Sequence, residues 1–423
     1  MPAWFGGETT AVALAGAQEA AGATGAALAR PASSVSVLPQ PRERGSVWAP
    51  SRPTCKALTV LYRIHCRQQC TLRSFPTRLT LPGAEVVADA ITDVGVAPTH
   101  RRRGLLSAMM RRDLATAAER GEPVAILIAS EAAIYGRYGF GCAADWAVWC
   151  LDPRRAVFAA PLDEPEGVRL ERVDPATLRV LGPQVYERYR RKQPGAIERT
   201  DRWWDIALDL VDQPRPVPRG SQWVLARAAA GEPVGCLRYH VDMRWEDTSP
   251  AGTLVVDELL AITPAAYARL WRYCCQVDLV TEVRAPLRPS TEALPWLLTD
   301  GRVARLTYRA DGLWLRVLDV ARTLTARRYD RAGTLTVEVV DPAGIASGRW
   351  RLDAAAGQAE CRSTSAAADL RLSVQALGAA LLGGVGVTTL HQAGLVRAQT
   401  PAALATADVL FRGRVPPWCN TVF

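Results

Sequence analysis

The chain has 423 residues, 49% hydrophobic and 22% charged, with a formal net charge of +9. That balance fits a soluble globular protein of two to four domains and excludes a disordered or fibrous chain. No apolar run reaches the roughly 20 residues needed to span a bilayer. The nearest approach, Thr9–Ala29, is broken by Gln18, Glu19 and several glycines and lacks the basic start of a secretory signal, so a cytoplasmic location is expected.

The positive charge is almost wholly arginine, Lys56 and Lys192 being the only lysines. No basic stripe interleaved with stacking aromatics is present, which favours an anionic cofactor over nucleic acid as partner. The cysteines are scattered. Cys66/Cys70 and Cys274/Cys275 lack the second pair of ligands a zinc site needs, so free thiols and no metal are expected.

Residues 1–57 are rich in Ala, Gly, Ser and Pro without apolar periodicity and read as disordered or aberrant. Thr71–Leu81 alternates and ends at Pro82-Gly83, a turn, with Val86–Val96 as partner strand. Leu105–Ala118 carries an apolar stripe at Leu105, Leu106, Met109, Met110, Leu114 and Ala117, the spacing of a helix. Gly121-Glu122-Pro123 stops it, and Val124–Ala129 is a continuous apolar run expected of a buried strand.

Beyond a linker near Pro161–Gly167, helices are predicted at Leu178–Arg191 and Arg202–Val211. Strands follow at Trp223–Ala226, Gly235–Val241 and Leu254–Ala261, then a helix at Ala265–Gln276. This order repeats the first region. A third region, from Leu313, has strands at Thr334–Val340, Trp350–Asp353 and Leu370–Val374 and helices at Gln375–Leu382 and Pro401–Phe411. The predicted boundaries are 1–57, 58–160, 161–312 and 313–423.

The informative stretch is Val94-Gly95-Val96-Ala97-Pro98-Thr99-His100-Arg101-Arg102-Arg103-Gly104-Leu105-Leu106-Ser107. A strand enters a loop whose basic end opens a helix. Helix N-termini present unpaired N–H groups and partial positive charge, which suit a pyrophosphate. Gly104 permits close backbone approach, and the arginines can add charge-assisted hydrogen bonds. A solvated basic turn is the plain alternative.

The run resembles the acetyl-CoA motif of the GNAT superfamily, Arg/Gln-x-x-Gly-x-Gly/Ala, with Arg101, Gly104 and Leu106 in those places. Leu106 departs from the general pattern but matches the Arg-Arg-Arg-Gly-Leu-Leu form of the Eis (enhanced intracellular survival) N-acetyltransferases. That branch also carries Ser-Glu-x-x-Ile-Tyr-Gly-Arg-aromatic-Gly, here Ser130-Glu131-Ala132-Ala133-Ile134-Tyr135-Gly136-Arg137-Tyr138-Gly139. The resemblance runs from about Thr71 to Phe423. It implies an α/β (α+β) architecture of two tandem GNAT-like mixed-sheet domains, the second degenerate, and a C-terminal sterol-carrier-protein-like domain.

It further implies acetyl-CoA as cosubstrate and a homohexamer. Val94, Gly95 and Val96 would pair with the pantetheine arm. Arg101, Arg102, Arg103, Gly104, Leu105, Leu106 and Ser107 would cradle the pyrophosphate, and Ser130 and Glu131 would contribute from the next strand end. The acceptor would be an aminoglycoside- or polyamine-like amine or a lysine ε-amine. Tyr135 fits a general acid for the leaving thiolate; a merely packed tyrosine is the alternative.

In the resembled family the base is the C-terminal carboxylate, here that of Phe423. Two prolines stiffen the tail, its aromatics suit burial, and desolvation raises an α-carboxyl from about 3.5. His100, His240 and His391 are other candidate bases. Residues 1–70 do not match the family's opening helices, which form one wall of the substrate pocket. A reading-frame error or natural divergence would produce such a join. A vestigial GNAT core with an apolar-ligand-binding or assembly role is the competing reading of the whole chain.

Overall fold

The structure, a computed structural model, describes residues 58–64, 67–159, 167–212 and 217–423, with side chains from residue 70 onward; the reading of residues 1–57 lies outside it. The first unit begins with β1 (Leu58–Ile64), β2 (Arg67–Leu81) and β3 (Ala84–Val96). Pro82-Gly83 makes the β2–β3 turn, and Leu79 and Leu81 are wholly buried. α1 (Leu105–Glu119) buries Met109, Met110, Leu114 and Ala117, the predicted stripe. β4 (Val124–Ile128), α2 (Ala132–Tyr135), β5 (Gly141–Cys142) and β6 (Asp145–Leu151) follow.

The second unit has β7 (Arg169–Val173), α3 (Pro175–Arg190), α4 (Asp201–Ala207), β8 (Gln222–Arg227) and β9 (Pro233–Asp242). A short hairpin, β10 (Trp245–Glu246) and β11 (Ser249–Pro250), leads to β12 (Gly252–Ala261), α5 (Pro264–Cys274), β13 (Val280–Arg288) and β14 (Ala304–Asp311). Asp174, Thr200 and Thr263 cap α3, α4 and α5 with their side chains, which fixes where those helices start.

The remaining elements are β15 (Leu313–Val317), α6 (Val320–Ala326), β16 (Gly333–Val340), β17 (Gly348–Ala355), β18 (Gln358–Ser363) and β19 (Leu370–Ser373). α7 (Val374–Leu381), α8 (Val387–Gln392), β20 (Val396–Ala398) and α9 (Pro401–Phe411) complete them.

Three mixed sheets result, ordered β1-β2-β3-β4-β15-β5, β14-β6-β13-β12-β9-β8-β7 and β18-β17-β16-β19-β20. Two strands cross the regions drawn from sequence. β15, where the third region was expected to open, pairs with β4 and β5 in the first sheet. β6, in the first region, lies between β13 and β14 in the second. The chain passes from sheet to sheet twice, side by side: Gly312 donates to Ala144, and Ala143 to Leu313, both at 2.9 Å. All five residues of β15 are buried. A strand with apolar neighbours on both faces carries no local mark of the sheet it joins.

The first sheet has two occupied faces. Ala88 and Ala90 of β3 pack with the third unit, while Ile91 packs with α1 and Tyr135. Among the described residues no helix is long and apolar enough to cross a membrane, and no group of three or more His, Cys, Asp or Glu is placed to hold a metal ion.

Candidate active site

β3 is the spine of the site. It pairs in parallel with β4 only from Ala88↔Val124 to Ile91↔Leu127. Beyond Ile91 it runs on to Val96, paired with β2 on one side and with no described strand on the other. A register shift opposite Thr71–Arg73 marks a bulge, where Asp93 has φ +50°. Thr71 Oγ1 donates to the Asp93 carbonyl at 2.7 Å, and Arg73 pairs with the Asp93 carboxylate at 3.2 Å. Such a bulge bends a strand and re-aims its end. Val94, Gly95 and Val96 thus form a strand edge that an extended ligand could extend by backbone hydrogen bonds.

The edge leads into a short turn, Pro98–His100, and then into the arginines, all exposed. Arg102 has φ +62°, and Gly104, the N-cap of α1, has φ +78°. No side chain caps α1 and no acidic residue lies in its first turn. The opening N–H groups of this 15-residue helix, including those of Leu105, Leu106 and Ser107, are left for an anion. Nothing stands within 4 Å of a Cβ placed on Gly104, so its left-handed φ, rather than crowding, is what demands glycine. Ser107 Oγ and the Tyr138 hydroxyl are 2.9 Å apart, which ties α1 to the turn carrying Tyr135. Ser130 and Glu131 are exposed, Glu131 being the N-cap residue of α2.

Tyr135 ends α2 and is 6% exposed. Its ring meets Phe140 edge-on at 6.3 Å within the cluster of Met109, Met110 and Leu114. Burial, then the charges of Glu131 and Tyr138, raise its pKa above the ordinary 10.0, so the phenol keeps its proton at neutral pH. That is the form a general acid needs.

The tail arrives from the opposite face. The Trp418 N–H donates to Pro194 O at 2.8 Å, and its indole donates to Leu287 O at 3.0 Å. Thr421 is buried, its hydroxyl 2.9 Å from Arg199 Nε and 3.0 Å from the Tyr186 hydroxyl. The half-buried Phe423 ring meets Phe75 of β2 edge-on at 6.1 Å. Phe75 stands opposite Ala90, one residue before the β3–β4 pairing ends. Tyr135 and Phe423 share no described hydrogen bond or ring contact. They belong to packing clusters on opposite faces of the sheet, beside the place where β3 and β4 part.

Each of the three candidate histidines has a described partner, His240 and His391 within the fold and His100 in the loop. His240 Nδ1 is 2.9 Å from Asp257 and His391 Nδ1 is 2.9 Å from Val396 O, while His100 meets Thr99 Oγ1 at 2.8 Å in the loop. Sequence reasoning missed a buried carboxyl pair, Asp89 and Asp113, and the grip of Arg199 and Glu258 on the tail.

The open β3 edge thus runs into an uncapped helix N-terminus behind three arginines, an arrangement that suits an extended anionic ligand. Models of the acetyltransferase (GNAT) domain match residues 60–143 and 195–317, and a sterol carrier protein domain model matches 320–420. The N-acetyltransferase Eis of Mycobacterium tuberculosis is 38% identical over 349 residues, 80% of this chain and 82% of that protein. The chain belongs to the Eis family of N-acetyltransferases. An uncharacterized N-acetyltransferase of Streptomyces avermitilis is 45% identical over 356 residues, covering 84% of this chain and 85% of that protein. The crystal structure of Eis1 from Mycobacterium abscessus superposes with a TM-score of 0.74 at 33% identity, covering 86% of this chain and 90% of that one. This Eis-family chain is therefore an acetyltransferase with two GNAT domains and a sterol-carrier-like domain.

Proposed function

We propose that this Eis-family enzyme moves the acetyl group of acetyl-CoA to a primary amine of an aminoglycoside- or polyamine-like acceptor or of a lysine side chain, in the cytoplasm and as a homohexamer. The observation that carries the cosubstrate is the unpaired edge of β3 leading into α1. Acetyl-CoA supplies an activated thioester. The backbone of Val94–Val96 holds its pantetheine arm. The N–H groups of Leu105–Ser107, with Arg101, Arg102 and Arg103, hold the pyrophosphate, and Ser130 and Glu131 border the same cleft.

The acceptor ammonium loses two protons, one to free the lone pair that attacks the thioester carbonyl and one as the C–N bond forms and the C–S bond breaks. The departing sulfur gains one from Tyr135, and the second amine proton restores the phenol. Tyr135, held protonated by burial, donates to the sulfur. The α-carboxylate of Phe423 takes the first proton from the amine, and the anchoring of residues 418–421 supports that role. Proton donor and proton acceptor come from opposite faces of one sheet, so the acceptor amine enters from the tail side and the thioester from the α1 side.

The test has two arms. Arg102→Ala with Gly104→Asp should weaken calorimetric CoA binding, each lost charged contact costing about 1.5–3 kcal/mol. A C-terminal extension beyond Phe423, which turns its carboxylate into an amide, should remove most turnover and leave CoA binding intact. Unchanged CoA affinity in the first arm rejects the loop; full turnover in the second rejects the carboxylate.

A further inference from the structure

The second GNAT unit repeats the parting of two parallel strands. β12 and β13 pair from Gly252↔Val280 to Val255↔Arg284, and β12 then runs on to Ala261. In the first unit the corresponding edge is open and leads into the arginine loop. Here the edge is taken by the chain itself. Arg288, at the end of β13, donates from Nη1 to the Leu259 carbonyl of β12 at 2.5 Å and pairs with buried Glu292 at 2.8 Å. The Arg288 guanidinium lies 4.8 Å from the Trp418 ring centroid, and the Trp418 indole donates to Leu287 O at 3.0 Å.

One residue before Leu259, Glu258 accepts from Asn420 Nδ2 at 3.2 Å and from Arg199 Nη2 at 2.6 Å. Arg199 is stacked 3.9 Å from the Tyr186 ring and 3.7 Å from the Trp203 ring. It donates from Nε to Thr421 Oγ1 at 2.9 Å and from Nη2 to Asn420 O at 3.3 Å. A planar guanidinium held between rings has its donor directions fixed, which a lysine ammonium would not.

We propose that the second GNAT unit has exchanged cofactor binding for tail binding, and that Arg199 is a positioning residue that sets the Phe423 carboxylate through Asn420 and Thr421. The cleft that holds a thioester in the first unit holds residues 418–421 in the second. Thr421 is the last side chain held, and beyond it the Trp203 indole donates to the Val422 carbonyl at 3.4 Å, one residue before the carboxylate-bearing Phe423. Chain ends fray unless tied down, and an ångström of misplacement at a reacting group can cost about 10²-fold in rate. The inference rests on the carboxylate role proposed above for Phe423, and it adds which residues make that carboxylate effective.

The experiment is a cycle between grip and base. Arg199→Met and Thr421→Val are each made in the native-tailed protein and in one extended beyond Phe423, with kcat and calorimetric CoA affinity measured for all. In the native-tailed protein each variant is expected to lower kcat about 10- to 100-fold with CoA Kd unchanged. In the extended protein neither is expected to lower kcat further, because the base they position is already gone. A loss of general packing would lower kcat in both backgrounds alike, and that outcome overturns the proposal. So does native turnover in both folded variants, even where the extension abolishes activity and the carboxylate reading stands. Full turnover of the extended protein overturns the carboxylate reading and the proposal together. Thr421→Val leaves Arg199, Glu258 and the aromatic stack in place, so it decides the matter if Arg199→Met does not fold.

Discussion

A carboxyl pair lies buried between β3 and α1. Ser74 Oγ donates to Asp113 at 2.8 Å, Arg120 donates to Asp89 at 2.9 Å, and the same guanidinium pairs with Glu122 at 2.7 Å. Three acids thus share one arginine. Burial first, and then Asp113, push the Asp89 pKa up to about 8, and burial also raises Asp113. A carboxyl raised in the folded state stabilises the fold fully below its unfolded pKa, and that contribution is gone once pH has risen through the folded pKa. The window runs from about 4 to about 8. Across it stability should fall by up to about 1.4 kcal/mol per pH unit for each retained proton. Asp113→Asn keeps an acceptor for Ser74, removes the charge that helps raise Asp89, and should flatten the curve. Denaturation at several pH values checks this; an unchanged slope would show that the proton is held elsewhere. Tyr135→Phe should lower kcat by roughly 10²–10⁴ with CoA Kd unchanged, whereas near-native turnover would leave Tyr135 a packing residue. Tyr135 could be singled out as a candidate because its motif is contiguous. Asp113 left one signal: it lies three and four residues beyond Met110 and Met109, on the buried side of the stripe, where a carboxylate is out of place.

Elements whose logic is local were readable. The β2–β3 hairpin, α1 and β4 lie where alternation, helical spacing and the Gly121–Pro123 stop put them, and α9 spans Pro401–Phe411 as expected. Helix caps and turns are written in neighbouring residues, which is why they survive translation from sequence to structure. What could not be read was long-range pairing. The sequence Leu313-Trp314-Leu315-Arg316-Val317 says strand, not which sheet. The absence of a phosphate loop after β12 was visible in Ile262-Thr263-Pro264, but not that Arg288, 29 residues beyond Leu259, closes the strand edge. One CoA per chain is therefore expected in isothermal titration. Arg288→Ala should not create a second site, since it opens the edge without supplying arginines or a glycine-capped helix. A stoichiometry of two in the native protein would mean that the second unit binds cofactor by other contacts.

At the scale of the whole molecule the three units are interlocked. The first and second sheets exchange β15 and β6, and the third unit docks its helix α7 on β15. The contact is at backbone distance: a Cβ on Gly378 of α7 would lie 2.2 Å from the Leu315 carbonyl, which belongs to the first sheet. A strand carbonyl inside a sheet has little freedom to retreat, so Gly378→Ala must push helix and sheet apart by roughly an ångström, an overpacking of about 1–3 kcal/mol. The displacement has a functional direction. α7 belongs to the unit that leads through α9 into the tail, whereas the loop proposed for CoA lies on the other face of the sheet. Gly378→Ala should therefore lower Tm, lower kcat more than it weakens CoA binding, and leave the pyrophosphate contacts of α1 unchanged. Thermal unfolding, steady-state rates and CoA calorimetry on one preparation separate these effects. If Tm falls while kcat holds, the tail is registered by its grip on the second unit alone, and the third unit's docking serves stability without setting the carboxylate.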